Sequence, residues 1–462
     1  MRIARLLPRF QAAYRQAAEL DARENWNRGQ LAHFQLERLN RLWESARRNV
    51  AYYREQQRRL ELPAFFESLE QFSALVPILR RETIADRRHD LLSEQAQRGS
   101  WKRTGGSSGQ PLSVYWAKAA HLENLRCKYR FYAHWNLDIF HRTAFVWGHS
   151  GALAPGHTGF LYRLRQPIER RLRGRILLSA YRLGHEDLRS YLKRIGSFRP
   201  ESLYGYPTAL GLLAREAETT GFRCPTLKLI VCSGEPASQE LIARIQSSFR
   251  APVVVEYGSI ECGVIASQLP DGCLYVRDDQ YYLETLPARR GGFEIVVTVL
   301  NNPSFPLIRY AIGDLTPVPV VRPVKGFSHL AAIEGRKNDF IVSRSGRFVH
   351  SSRFDAFFKY ECSNLRSFRI RQGERGDLLV DVVPNDSGVR FETGVIEERL
   401  RNLVEGFPVE VRECKTDPLT PAGKHRPVCS HLANRPHSDS IDSDRALEGI
   451  PRERNCPVGS LT

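Results

Sequence analysis

Six short segments carry residue types that could do chemistry on a charged, oxygen-rich ligand. In KRTGGSSGQPLSVYW (Lys102–Trp116), Thr104, Gly105, Gly106, Ser107, Ser108 and Gly109 concentrate backbone N–H groups and hydroxyls in six residues. Glycines let successive N–H groups converge on an anion, and hydroxyls add donors. The segment lacks the closing Gly-Lys-Ser/Thr of a P-loop and any G-x-G-x-x-G pattern, and strand-like PLSVYWA follows it where those motifs need a helix. Alone it reads as a strand–turn–strand hairpin, with a phosphate cradle as the sharper alternative. VCSGEP (Val231–Pro236) ends an apolar strand in a backbone-rich turn at Gly234 and Glu235, the edge at which open α/β sheets bind ligands. EYGSIE (Glu256–Glu261) offers the ring of Tyr257, which can stack on a base, then Gly258, Ser259 and the Glu261 carboxylate, a hard donor suited to Mg²⁺. RYAIGDL (Arg309–Leu315) sets Asp314 at a turn, where it could accept from a ribose diol. EGRKNDFI (Glu334–Ile341) offers Gly335 and Asn338 as hinge candidates, and PAGKHRPV (Pro421–Val428) presents Lys424 on a Gly-containing loop. Each has a plainer reading as well: a core tyrosine, a solvated strand-end carboxylate, an ordinary Gly-Asp turn, a linker, one more basic residue.

These segments need a scaffold, and the apolar pattern predicts one. Residues 1–100 read mostly as helix, with apolar residues three and four apart in FQAAYRQAAEL and LERLNRLWESARRNVAYYREQ. From about Trp101, strand-like TAFVWG, RILLSAYRL, LKLIVCSG and PVVVEYGS alternate with helical LRSYLKRIGSF, TALGLLAREAE and SQELIARIQSSF. That rhythm predicts an α/β core with a parallel sheet covered on both faces. After Ser267 the pattern turns to a β meander or small barrel (LYVRDDQYYLETL, GFEIVVTVL, PLIRYAIGD). Residues 101–335 thus complete a large unit. Residues 336–430 read as a small α+β unit: a hairpin in SFRIRQGERGDLLVDVV, a helix in VIEERLRNLVEG and a final strand in PVEVREC. The polar stretch 431–462 reads as a disordered tail.

Composition narrows the function classes. The 462-residue chain carries 68 Lys and Arg against 51 Asp and Glu, a formal charge of +17, which suits phosphorylated ligands, nucleic acid or anionic lipid. No nucleic-acid recognition motif accompanies the charge. The densest run, RLRQPIERRLRGR (Arg163–Arg175), reads as a solvated helix face or an anion-docking patch. No apolar run reaches bilayer-spanning length, and MRIARLLPRFQAAYRQ lacks the apolar core of a secretory signal, so a cytoplasmic protein is expected. Nine cysteines without a C-x-x-C pair argue against a disulfide framework or a ribbon-type zinc site.

Taken in order, the six motifs resemble the core motifs of the adenylate-forming superfamily, nearest to the phenylacetate–CoA ligase branch and its CapK-like relatives. NVAYYRE (Asn49–Glu55), PILRRETI (Pro77–Ile84) and YGYPTALGLLA (Tyr204–Ala214) extend the likeness to about Ser430. The resemblance implies that Thr104–Gly109 cover the β- and γ-phosphates of ATP, that Gly234 and Glu235 line the adenine pocket and that Tyr257 packs on adenine. It assigns Mg²⁺ to Glu261, the ribose hydroxyls to Asp314 with Arg336 nearby, the hinge to Asn338, and the carboxylate and α-phosphate oxygens to Lys424. The implied reaction joins a small carboxylic acid to AMP with release of pyrophosphate. The acyl group then passes to coenzyme A, a carrier-protein thiol or an amine. Trp147, Gly148, His149, Ser150, Tyr204, Tyr206 and Cys232 are the acid-pocket candidates by position. The sequence departs from the family pattern at Gln110, where many relatives have Lys, at Ile260, where many have Ser or Thr, and at Asn338, where the hinge is usually acidic. Cys262 and Cys273 do not reproduce the zinc cluster of part of the branch. Gln110 and Ile260 favour a rival reading, a catalytically weak nucleotide-binding protein of the same fold in cell-envelope polysaccharide synthesis, whereas Glu261, Asp314 and Lys424 favour the enzyme.

Overall fold

The computed structural model describes residues 23–103, 112–138, 141–148, 174–180, 183–288, 291–333, 335–336, 340–345, 348–350, 354, 357–358, 365–384, 393–414 and 428–430. The segment FQAAYRQAAEL, expected as helix, most of the Arg163–Arg175 run and residues 431–462, expected as a tail, lie outside them.

Helices open the described chain: α1 (Arg28–Asn49), α2 (Ala51–Arg59), α3 (Leu69–Leu75) and α4 (Arg81–Asp86). Asn27 and Gln30 form a reciprocal capping box at the start of α1, satisfying N–H groups that the helix itself cannot. Trp43 and Phe72 of these helices, with Phe66 and Leu79 of the connections between them, are buried in one core with residues of the later antiparallel sheet.

The hairpin β1 (Gly99–Arg103) and β2 (Ser113–Ala117) comes next, then α5 (Lys118–His134), β3 (Thr143–Trp147), β4 (Arg175–Ser179), α6 (His185–Phe198), β5 (Ser202–Gly205), α7 (Pro207–Thr220), β6 (Leu229–Ser233), α8 (Gln239–Phe249) and β7 (Val253–Ser259). Strands β4-β3-β5-β6-β7 lie side by side and parallel. Every residue of β5 and β6 is buried, as a parallel strand between two helical layers requires. Helices α6, α7 and α8 cover one face, while Phe131 and Tyr132 of α5 pack against Tyr204, Val231 and Val254 on the other.

The expected change of character after Ser267 is only partly what the chain does. Strands β8 (Gly263–Gln268), β9 (Leu274–Val276) and β13 (His329–Leu330) continue the same sheet antiparallel, in the order β7-β8-β9-β13, rather than starting a separate meander. The second sheet consists of β10 (Tyr281–Pro287), β11 (Phe293–Val299), β12 (Tyr310–Thr316) and β14 (Gly335–Arg336), all antiparallel. A separate apolar cluster runs from Ile341 to Val428. It includes the pair β15 (Phe340–Val342) and β16 (Phe348–His350), then β17 (Leu365–Gln372), β18 (Leu378–Pro384), α9 (Thr393–Leu403), β19 (Val409–Glu413) and β20 (Val428–Ser430). PVEVREC is therefore not the final strand: β20 follows it and pairs parallel with β17.

Candidate active site

The order of the parallel strands reverses at β3, since β4 lies on one side of it and β5 to β7 on the other. The crevice beyond the carboxyl ends of β3 and β5 is a topological switch point, the place where open α/β sheets receive ligands. Trp147 closes β3 and Tyr206 follows β5, and their rings lie 4.1 Å apart between centroids, with Tyr204 5.4 Å from Trp147. Gly234 ends the adjacent strand with φ +85°, and a Cβ there would sit 3.1 Å from both rings. The turn thus needs glycine for its conformation and for its neighbours. Glu235 accepts from the Thr208 N–H at 3.3 Å, so this carboxylate also caps the start of α7.

Beside this crevice, β7 and β12 bring the next two candidates together. The Tyr257 hydroxyl donates to Asp314 Oδ2 at 2.9 Å, and both residues are buried. Asp314 stands opposite Arg336 in the β12–β14 register. After β7 the chain turns tightly: the Ser259 hydroxyl accepts from the Cys262 N–H at 3.1 Å, leaving Ile260 exposed and Glu261 buried. Glu261 is therefore not a solvated strand-end charge. Arg81, from the first turn of α4, donates to its Oε1 at 2.9 Å.

The N-terminal signatures brace this geometry. Leu79 of PILRRETI takes both backbone bonds beside Tyr310, with Leu79 N donating to Arg309 O at 2.9 Å and Ala311 N to Leu79 O at 3.0 Å. Tyr53 of NVAYYRE donates to Pro306 O at 2.9 Å and accepts from Ile308 N at 3.2 Å. Arg309, buried with φ +50°, forks onto both oxygens of buried Glu284 at 3.0 and 2.9 Å. Strand β2 is tied in by Trp116, whose indole N–H donates to Ile260 O at 3.0 Å. Its pairing with β1 runs to Arg103 opposite Ser113, which are the two arms of the expected hairpin.

A second charged group lies behind the crevice. Tyr204 donates to Glu256 Oε1 at 2.6 Å, and Lys128 Nζ stands 3.5 Å from the same oxygen and 4.1 Å from the centre of the Tyr204 ring. Burial lowers the Lys128 pKa and, with the negative charge of Glu256, raises that of Tyr204 well above the usual phenol value. Burial pushes Cys232 up to about 12, so this thiol stays protonated and is no nucleophile.

No protein-family model matches the chain. Among curated proteins it is 24% identical to protein CapK of Staphylococcus aureus over 231 residues, 49% of this chain and 50% of CapK. It is 25% identical to phenylacetate–coenzyme A ligase of Aromatoleum evansii over 170 residues, 33% of this chain and 38% of the ligase. The chain thus spans half or less of these relatives' lengths. Among solved structures, 2-hydroxyisobutyryl-CoA ligase, crystallised in a postadenylation state with 2-HIB-AMP, superposes over 88% of this chain and 91% of its own at TM-score 0.69 and 19% identity. The chain shares the fold of this ligase. Its sequence likeness is to CapK and to phenylacetate–coenzyme A ligase.

Within that fold, Gly234, Glu235, Tyr257, Gly258, Ser259 and Glu261 lie along the ends of β6 and β7, with Trp147, Tyr204 and Tyr206 next to them; Asp314, expected at a turn, lies instead inside β12, paired opposite Arg336, and joins them through Tyr257. Thr104–Gly109, Gln110, His149, Asn338 and Lys424 lie outside the described residues, as does the side chain of Arg336. Sequence reasoning missed the partners: Arg81 of Glu261, Lys128 and Tyr204 of Glu256, and Glu284 of Arg309. No local pattern signals them, because each pair joins segments that meet only in three dimensions.

Proposed function

We propose that the protein activates a small carboxylic acid with ATP, forming an acyl adenylate and pyrophosphate, and then passes the acyl group to coenzyme A, a carrier thiol or an amine. The observation that carries this reading is the convergence of the Gly234 turn, Tyr257, Asp314 and Glu261 beside the switch-point crevice. The likeness to CapK, to phenylacetate–CoA ligase and to the ligase fold supports it.

The geometry of the described residues supports these roles. Tyr257 fixes the Asp314 carboxylate so that it can accept from the two ribose hydroxyls. The glycine at 234 lets the nucleotide base approach the backbone. Trp147 and Tyr206 form an aromatic wall where the acid would lie, a short distance from the strand ends that hold the nucleotide. An ionised carboxylate needs no general base: its oxygen bonds to the α-phosphorus as the bond to the pyrophosphate oxygen breaks. Charge then grows on the phosphoryl oxygens, and donors fixed in place stabilise it. In this reading those donors are the N–H groups of Thr104–Gly109 and the ammonium of Lys424.

Glu261 suits Mg²⁺. It is a hard oxygen donor at a strand end, and this ion is commonly held by one or two carboxylates together with substrate phosphates. When bound, the ion would neutralise phosphate charge. Residues 336–430, turning about Asn338, would carry Lys424 to and from the site.

Pyrophosphate exchange into ATP across a panel of carboxylic acids tests the reading. Exchange that depends on one acid and falls by about 100-fold or more in Lys424→Ala is expected for loss of a charge that acts on the transition state. ATP binding without exchange for any acid overturns it. Acid-dependent AMP release with coenzyme A, carrier protein or amines then identifies the acceptor.

A further inference from the structure

The carboxylate that this reading gives to the metal already has a cation. Arg81 donates to Glu261 Oε1 at 2.9 Å, with 27% of the Arg81 side chain and 8% of the Glu261 side chain exposed. The guanidinium does not arrive by chance. Its neighbour Leu79 is hydrogen-bonded into the edge of β12, and Arg80 forks onto Glu294 with both contacts at 3.0 Å. Arg81 therefore enters α4 from a backbone anchored on the strand that carries Asp314.

A buried carboxylate paired with a guanidinium is neutral as a unit, and both charges have lost most of their water. A free divalent cation coming to Glu261 gains little from a carboxylate already compensated and is repelled by the guanidinium beside it. A triphosphate reverses the balance, because its negative charge attracts both cations at once, and a guanidinium forks readily onto phosphate oxygens.

We propose that Arg81 makes metal binding at Glu261 conditional on the nucleotide. Without nucleotide, the Arg81–Glu261 pair excludes free Mg²⁺. With nucleotide, the phosphates supply the charge that lets the carboxylate take the metal and draws the guanidinium toward them. Arg81 is a positioning residue that acts through Glu261, and the inference rests on the assignment of Glu261 to the metal.

Equilibrium dialysis of the full chain against Mn²⁺, read by electron paramagnetic resonance with and without ATP, tests this without turnover. Wild type is expected to retain no Mn²⁺ at Glu261 in the absence of ATP, giving the same isotherm as Glu261→Gln. With ATP it retains one ion that Glu261→Gln loses. Arg81→Met is expected to bind free Mn²⁺ at least 10-fold more tightly than wild type, an increment abolished in Arg81→Met/Glu261→Gln. Arg81→Lys, which keeps the charge, should behave as wild type. A Glu261-dependent Mn²⁺ site in nucleotide-free wild type overturns the proposal, and this arm holds even if Arg81→Met does not fold. Equal free-Mn²⁺ affinity in wild type and a folded Arg81→Met overturns it as well. Pyrophosphate exchange reports separately on the parent reading, since the dialysis needs no acid.

Discussion

Tyr257 and Asp314, 57 positions apart, are joined by a 2.9 Å hydrogen bond from the phenol to Oδ2. The bond links the main sheet, through β7, to the antiparallel sheet, through β12. An aromatic residue and a carboxylate that could serve one nucleotide are thus set by one contact across two sheets.

Removing either partner should have distinct effects. Asp314→Asn keeps the shape but loses charge-assisted bonding to the ribose, so ATP binding should weaken by about 10-fold, equivalent to roughly 1.4 kcal/mol. Tyr257→Phe leaves the carboxylate and removes its anchor. It should cost about 1–3 kcal/mol of stability for a buried bond to a charged group, with a smaller loss in ATP affinity than Asp314→Asn. Titration calorimetry and urea denaturation separate the two. Equal affinity losses would mean that the phenol does more than hold Asp314.

Gly234 and Gly221 offer a matched pair. Both have positive φ, +85° and +62°, but a Cβ at 221 meets nothing within 4 Å while one at 234 lies 3.1 Å from Trp147 and Tyr206. Gly221→Ala should cost only the left-handed backbone, about 1–2 kcal/mol. Gly234→Ala should cost more, because it also displaces the two rings, and should raise the KM for the acid several-fold where Gly221→Ala does not. Urea denaturation and exchange kinetics on the two variants check both differences.

The alternation of strands and helices was legible because parallel strands such as β6 (LIVCS) are almost wholly apolar and the helices beside them keep a 3.6-residue period. Pro207 at the first turn of α7 and Gly221 at its end are local signals of the same kind. The meander expected after Ser267 was harder to place. A short alternating strand such as β9 has the same pattern whether it pairs with its own hairpin partner or extends an existing sheet edge. Of the candidate site residues, Gly234 and Glu261 do follow the ends of β6 and β7, whereas Asp314, expected at a turn, lies inside β12 because β14 pairs with it there. It was not legible that Arg81 would reach Glu261 across 180 positions, since one arginine among the four of RRETIADRR gives no sign of its partner.

His141 gives folding stability a dependence on pH. It sits just before β3, which ends at Trp147, and is 7% exposed. The Asp138 carbonyl accepts from Nδ1, and Nε2 lies 2.9 Å from the hydroxyl of Ser202, the first residue of β5. The ring therefore ties the two switch-point strands at their starts. Burial, the largest influence, lowers its pKa below the usual 6.5, because the charged ring would lose its hydration. Above pH 6.5 the ring is neutral in the folded and the unfolded chain, and it contributes no slope. As pH falls through 6.5 the unfolded chain takes up the proton first, so stability declines by up to about 1.4 kcal/mol per pH unit until the folded ring also protonates. His141→Gln cannot titrate and can keep a bond to Ser202, so it should flatten this part of the acid limb at some cost in stability at neutral pH. Urea midpoints for both proteins between pH 5 and 8 decide it. An unchanged acid slope in His141→Gln would assign that limb to other groups.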